Sequence, residues 1–295
     1  MRVKFWGTRG MISSPRLETA IFGGNTTCIQ VLHKDNLIIV DSGFGITNLG
    51  DTLFDRIIGN KEKLKIHIFF THFHWDHIQG LPFFKPIYFD STTMHLYSPA
   101  KSDIMLENLN VLFDGSYSPF ESLMSMQAKI NLHQLTGQVD IHGLKVEFQA
   151  VDHGNDGANI VYNEAFAFKF TNEEDASVVI ITDHEAKPSH VNNALIKFAK
   201  NCDILVHDAQ YTETEYIQHM GWGHSSVNQA LANATKIDAG LTVLTHHAPN
   251  RNDRDLQTLH RTLLMMKKFK NLNFEFARED TVYDVAKVKK EKSAS

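Results

Sequence analysis

Six short apolar runs in this chain each end on a histidine or an aspartate. LIIV runs into Asp41, IHIFF into THFHWDH at residues 71–77, and VEFQAV into Asp152-His153-Gly154. SVVIIT runs into Asp183-His184-Glu185, DILV into His207-Asp208, and LTVLT into His246-His247. Continuous apolar runs this short read as strands buried on both faces. A single strand ending this way would mean little. Six of them predict one common site at the carboxyl ends of sheet strands, where α/β folds bind ligands.

Helical patterns fill the gaps. Residues 46–58 place Ile46, Leu49, Leu53 and Ile57 on one face, and 190–199 group Val191, Leu195, Phe198 and Ala199. Ser225-Ser226 reads as an N-cap for a helix carrying Val227, Ala230, Leu231 and Ala234. A further helix is expected over 255–267. Residues 90–145 read as strands near 93–97 and 129–134 with a helix near 101–112, and could form a lid or a dimerisation insert. We expect one domain over 1–288 and a flexible tail over 289–295, at the end of the charged stretch VAKVKKEKSAS.

Composition excludes several classes. With 42% hydrophobic and 21% charged residues in 295, the chain is neither disordered nor fibrous. A formal charge of −5 argues against broad nucleic-acid binding, which needs a basic surface. Cys28 and Cys202 are too few for a disulfide framework, and each adjoins an apolar run, so both read as buried thiols. The N-terminus MRVKFWGTRG lacks the long apolar stretch of a signal peptide, and no run approaches the roughly 20 apolar residues of a membrane span. The expectation is a soluble, cytoplasmic protein with no membrane partner.

The chemistry concentrates in THFHWDH. His72, His74, Asp76 and His77 lie immediately after a strand. Alternation in an extended segment would put His72, His74 and Asp76 on one side. Imidazole nitrogen and carboxylate oxygen suit Zn²⁺ and similar metals. Four such groups this close cannot all bind one tetrahedral ion without severe strain. Two ions, each completed by residues from distant strands, is the natural solution.

THFHWDH resembles the HxHxDH signature of the metallo-β-lactamase superfamily of hydrolases. The resemblance covers most of the chain, from VDSG at Asp41 through His153, ITDHE at Asp183, VHDAQY at Asp208 and GHSS at His224 to LTHHAP at His246. The motif order is similar to the branch of tRNA 3′-processing endonucleases (RNase Z) and cyclic-nucleotide phosphodiesterases. FWGTRG with GGNTTC is similar to the bacterial phosphodiesterase-like members, although Met11 replaces an expected small polar residue and Phe73 fills a variable slot. The resemblance implies a four-layer αβ/βα sandwich, with two mixed β-sheets face to face and helices outside.

It also implies a ligand set. His72, His74 and His153 would hold one ion, Asp76, His77 and His246 the second, and Asp183 would bridge them. The metals would be Zn²⁺, or Mn²⁺ or Fe²⁺. Asp76 would also orient the attacking hydroxide. His246 matches the family position, and only one of the adjacent pair His246 and His247 can point inward from a strand. Asp41 and His184 would support the site without binding metal. His224, ahead of a helix N-terminus and paired with Asp208, would protonate the leaving oxygen.

The implied reaction is hydrolysis of a small cyclic phosphodiester, a 3′,5′-cyclic nucleotide (cAMP or cGMP), to the nucleoside monophosphate. A tRNA 3′-processing endonuclease is the alternative. It is disfavoured by the acidic chain and by the lack of a Gly/Pro-rich basic arm; DGSYSPFESLM, within 90–145, is not basic. Thioester or lactam hydrolysis would leave His224 without a role. A metal-binding regulator would show a broken ligand set, and a di-iron protein of this fold usually carries Glu where His74 stands. One of Phe73, Trp75, Tyr211 and Trp222 could stack on a nucleobase. Pairing of two copies is expected by family analogy alone.

Overall fold

The computed structural model describes residues 1–116, 118–154, 165–187 and 192–288. The expected helical position Val191 and the tail 289–295 lie outside them.

Two seven-stranded sheets form, one from each part of the chain. The first part supplies β1 (Arg2–Gly7), β2 (Cys28–His33), β3 (Asn36–Val40), β4 (Leu64–Phe69), β5 (Thr92–Ser98) and β6 (Lys129–Gln134). The second supplies β7 (Val139–Ile141), β8 (Leu144–Val151), β9 (Ala165–Thr171), β10 (Ser177–Ile181), β11 (Ile204–Asp208), β12 (Leu241–Thr245) and β13 (Phe274–Phe276). The last strand, β14 (Val282–Asp284), returns to pair with β1. The orders are β14-β1-β2-β3-β4-β5-β6 and β13-β12-β11-β10-β9-β8-β7. Both sheets are mixed: β3 to β6 and β10 to β13 run parallel, and the rest pair antiparallel.

Alternation along the strands builds the layers. Ile38 and Val40 face the other sheet, where Val178, Ile180 and Val206 meet them. Ile39, Ile66 and Ile68 face outward onto Ile46, Leu49, Leu53 and Ile57 of α1 (Ile46–Asn60). Met105 and Leu109 of α3 (Ser102–Asn110) join that outer layer. On the far side, Val179, Ile181 and Leu205 pack against Leu195 and Ala199 of α4 (Asn193–Ala199) and Ala234 of α6 (Val227–Ile237), while Leu244 meets Leu256 of α7 (Asp253–Leu264). Strands covered on both faces have no polar side to show, which is why they read as unbroken apolar runs. VEFQAV differs. In β8, beside the three-residue edge strand β7, Ala150 is exposed and Glu147 and Gln149 are half-buried.

Two further α-helices are short: α2 (Trp75–Ile78) and α5 (Glu213–Gln218). Ser226 caps α6 by accepting the Gln229 N–H. Asn252 caps α7 and starts it two residues before the expected position. Residues 90–145 are woven into both sheets through β5 to β8 rather than appended to them. The charged C-terminal stretch begins inside the core, with Val285 and Val288 buried. Cys28 and Cys202 are free and buried. Among the described residues no helix is long and apolar enough to cross a membrane.

A ladder of rings crosses β4, β5 and β6 on the inner face. His67 stacks on His95 at 5.0 Å and His95 on His133 at 5.1 Å, while His67 Nδ1 meets the Tyr97 hydroxyl at 3.0 Å. Burial, then His95, Lys65, His142 and His133, push His67 down to about 3. Burial also lowers His95 and His133. Below pH ~6.5 the unfolded chain binds protons that the folded ladder refuses. Its contribution to stability is therefore full above that pH and is lost as pH falls. Unfolding free energies from urea titrations between pH 7.5 and 5 should fall less steeply in His67→Asn than in the wild type, by up to ~1.4 kcal/mol per pH unit for one proton.

Candidate metal centre

The carboxyl ends of β3, β4, β8, β10, β11 and β12 meet at one edge of the sandwich, and the side chains beyond them converge. One group of ligand-type atoms comes from His72, His74, His153 and Asp183; a second comes from Asp76, His77 and His246. Within each group the atoms lie within 4.8 Å of one another, and His74 is the exposed member. Asp183 spans both groups: its Oδ1 is 3.0 Å from His77 Nε2 and 3.4 Å from His246 Nε2, and its Oδ2 is 3.7 Å from His72 Nε2 and from His153 Nε2.

The backbone explains how one seven-residue motif serves both groups. THFHWDH is not extended throughout. It turns into α2 at Trp75, so Asp76 and His77 leave on a helical turn, away from the line of His72 and His74. Simple alternation missed this turn. At two strand ends a non-glycine residue adopts the left-handed conformation, Asp41 at φ 60° and His246 at φ 62°. Such backbone costs about 1–3 kcal/mol each and concentrates at functional sites. At β12 it separates the adjacent histidines: His246 joins Asp76, with Nε2 3.2 Å from Oδ2, while His247 Nε2–H donates to the Ala277 carbonyl at 2.9 Å.

Four of the five inward rings are held from behind through Nδ1, while His74 turns its own Nδ1 to His153 Nε2 at 3.0 Å. His77 Nδ1–H donates to Asp41 at 2.8 Å, His246 to the Gln210 carbonyl oxygen at 2.8 Å, and His153 to the Gly223 carbonyl at 2.8 Å. His72 Nδ1 meets the Thr71 hydroxyl at 3.1 Å, which in turn donates to Asp41 at 2.7 Å. A partner on Nδ1 fixes the tautomer and leaves the Nε2 lone pair free, the usual arrangement behind metal-binding histidines. Asp41 thus supports His77 and Thr71 from behind. His184 contributes its backbone N–H to Asp208 at 3.2 Å.

The donor set fits metal on physical grounds. His72 Nε2, His77 Nε2 and Asp183 Oδ1 are buried and have no hydrogen-bond partner, which is costly unless something binds them. Burial keeps His72 well below the ordinary imidazole range and His153 at about 4, so both rings stay neutral. Burial opposes charge on His77 as well, but the carboxylates of Asp183, Asp76 and Asp41 outweigh it and push it up. Three buried carboxylates around one ring call for cationic charge.

His224 stands apart from this set. Its ring lies 4.7 Å from that of His246 and 5.2 Å from that of His153, and Nδ1–H donates to Asp208 at 2.8 Å. Burial works against its charge, and Asp208, followed by Asp183 and Asp76, overcomes that and raises it to about 9. Asp208 is itself fixed by the Gln210 N–H at 3.0 Å. A geometric grouping of Asp183, His224 and His246 also exists.

Several site residues escaped the sequence reading. The Met11 N–H donates to Asp76 at 2.6 Å, and the Met11 sulfur accepts from Gln210 at 3.3 Å. Gly10 admits no side chain, since a Cβ there would lie 2.2 Å from the His246 ring. Arg9 fixes this loop by donating to the carbonyls of Gly23, Ala248 and Arg251. FWGTRG is therefore a clamp on the site. Gln210 lies two residues beyond Asp208, and that proximity was the only sequence signal for its part.

Of the flanking aromatics, Phe73 packs on the α1 layer and Tyr211 is buried against His219. Trp75 and Trp222 remain exposed. Trp75 lines a cavity of about 520 Å³ with Phe44, Gln79, Phe83 and Leu112. Trp222 lines one of about 250 Å³ with Met11, Gln210 and Glu215.

The family described as Beta-lactamase superfamily domain matches residues 36–247. A Staphylococcus carnosus (strain TM300) protein named Ribonuclease Z is 22% identical over 325 residues, spanning 97% of this chain and 100% of that protein. Among solved structures, the metallo-beta-lactamase fold protein YhfI from Bacillus subtilis superposes with a TM-score of 0.68 at 18% identity, over 96% of this chain and 99% of its own. Human tRNase Z, short form, gives a TM-score of 0.61 at 18% identity, over 97% and 99%. Both structural likenesses are likenesses of fold. The matched span reaches from β3 to the histidine pair after β12, and on it the chain belongs to the beta-lactamase superfamily, as a metal-dependent hydrolase of the metallo-β-lactamase fold.

Proposed function

We propose that this protein hydrolyses a small cyclic phosphodiester, a 3′,5′-cyclic nucleotide such as cAMP or cGMP, to the nucleoside monophosphate. The observation that carries the reading is the His224–Asp208 pair, a buried acid held at the edge of the ligand cluster just ahead of α6. Two divalent ions, Zn²⁺ or else Mn²⁺ or Fe²⁺, held by the two groups with Asp183 common to both, would supply Lewis acidity toward the phosphate and lower the pKa of a water.

The chain's own residues do the rest. His224 spends Nδ1–H on Asp208, so Nε2 is the atom that gives its proton to the departing 3′ oxygen. Asp208 holds that tautomer. Asp76 orients the attacking water, itself steadied by the Met11 N–H. The N-terminus of α6, beyond His224, favours a negatively charged substrate. Trp75 and Phe83 offer a wall on which a base can stack.

The likeness to a protein named Ribonuclease Z favours a second reading, an RNA 3′-end endonuclease. Charge argues against it. Neither cavity beside the site is lined by Lys or Arg among the described residues. Arg9 is buried on backbone carbonyls, and Arg251 pairs with Glu215. Polyanion binding needs several such cations free.

A panel of 3′,5′- and 2′,3′-cyclic nucleotides, a bis-aryl phosphate and pre-tRNA, offered to the metal-loaded protein, tests the choice. We expect cyclic-nucleotide turnover, with Trp75→Ala raising KM roughly tenfold, since one base stack is worth about 1–3 kcal/mol. Cleavage of pre-tRNA with cyclic nucleotides untouched would establish the second reading instead.

A further inference from the structure

Glu185 is buried two residues beyond Asp183, and nothing above gives its side chain a part. Its Oε1 accepts the Tyr216 hydroxyl at 2.9 Å and the Gly221 N–H at 2.8 Å, and its Oε2 accepts the Gly223 N–H at 3.4 Å. Its own backbone N–H donates to the Asp152 carbonyl at 2.7 Å. Asp152 precedes His153 in the chain, and Gly223 supplies the carbonyl that takes His153 Nδ1–H. Both supports of the His153 ring therefore lead to Glu185.

The loop that Glu185 holds is shaped for this contact. Gly221 and Gly223 sit at φ 88° and 87°, and a Cβ on Gly223 would lie 2.4 Å from His153 Nδ1. Only glycine lets the backbone come this close. Ser225 stitches the same two segments together, donating from its hydroxyl to the His184 carbonyl at 2.5 Å and accepting the Ala186 N–H at 3.0 Å. The Glu185 carboxylate is spent on three contacts that order this loop.

We infer that Glu185 is a positioning residue: through the Gly223 carbonyl it fixes the Nδ1–H tautomer of His153 and so sets the affinity of one metal position, leaving the other alone. The position affected is that of His72, His74 and His153. Asp76, His77 and His246 are held instead by Met11, Asp41 and Gln210, through hydrogen bonds that do not run through Glu185 or Gly223. The inference rests on the reading of these groups as metal ligands and is independent of the substrate.

Glu185→Gln is the discriminating change. The amide oxygen can keep the Tyr216 and Gly221 contacts, but the amide nitrogen then faces the Gly223 N–H, donor against donor. Zn²⁺ is titrated into the metal-free full-length protein against a chelator, and the ring ¹⁵N resonances of His153 and His246 report on each position. Loss of a partner behind a ligand typically costs about 10–100-fold in metal affinity. We expect that loss at one of two sites, together with a mixed tautomer at His153 and an unchanged His246. Tyr216→Phe, which leaves both glycine contacts, should bind both ions like the wild type. A Glu185→Gln protein that melts earlier yet binds both ions normally, or weakens both equally, would overturn the inference and leave Glu185 a purely structural residue. A wild type that binds no zinc would overturn the metal reading as well, a result that the two variants cannot mimic.

Discussion

Asp183→Asn should abolish most activity while leaving the chain folded. Among the described residues, Asp183 is the one group whose two oxygens face both ligand clusters, Oδ1 toward His77 and His246, Oδ2 toward His72 and His153. Burial disfavours its charge, but the surrounding histidines His246, His77 and His72 hold its carboxyl well below the ordinary range. An amide offers one oxygen and turns its NH₂ toward the other cluster, where a metal ion would sit. Both positions then lose a ligand or face a repulsive donor. Metal catalysis is worth several kcal/mol of transition-state stabilisation. At about 1.4 kcal/mol per tenfold, the expected fall in kcat/KM is roughly a thousandfold or more. Metal content by elemental analysis should drop below that of the wild type. Chelation should lower the wild-type Tm, because an ion that binds only the folded state stabilises it, and should scarcely move the variant. Wild-type metal content and turnover in Asp183→Asn would refute the shared-carboxylate arrangement.

The two sheets were legible because their central strands are covered on both faces, so Ile38 to Val40 and Val178 to Ile181 carry no polar positions to blur the signal. The strand ends were legible for the opposite reason, since a His or Asp interrupts an otherwise apolar run. What the sequence hid depends on turns and on groups that every residue possesses. The Met11 amide on Asp76 and the Gly223 carbonyl on His153 are backbone atoms and leave no mark in residue type. The choice between His246 and His247 depends on one left-handed residue, which alternation cannot foresee. Glu185 lay in plain sight in ITDHE, but its partners are some 30 to 40 residues away and come together only when β10 and the loop after α5 fold together. The stretch 90–145 was hard to read because it spans both sheets, with a three-residue strand among its elements.

His224→Ala should show a loss that depends on the leaving group. An alkoxide departs poorly unless it is protonated, and a positioned acid contributes about 10²–10⁴-fold. An aryl oxide departs as a stable anion and needs no proton. For a 3′,5′-cyclic nucleotide we therefore expect kcat to fall by that factor in His224→Ala, and for bis(p-nitrophenyl) phosphate to change only a few-fold. Asp208→Asn should follow the same pattern with a smaller loss, because the ring remains but the new amide can present its NH₂ to Nδ1 and favour the wrong tautomer. Metal content separates this role from the rival one. His224 also falls into a geometric group with Asp183 and His246, and were it a ligand, its removal would lower bound metal and harm both substrates alike. The contact with Asp208 speaks for the acid: Nδ1 is occupied at 2.8 Å, and Asp183 lies 3.8 Å from that same nitrogen. Full metal occupancy with a loss confined to the alkyl leaving group is the expected result, and equal losses on the two substrates would remove His224 from proton transfer.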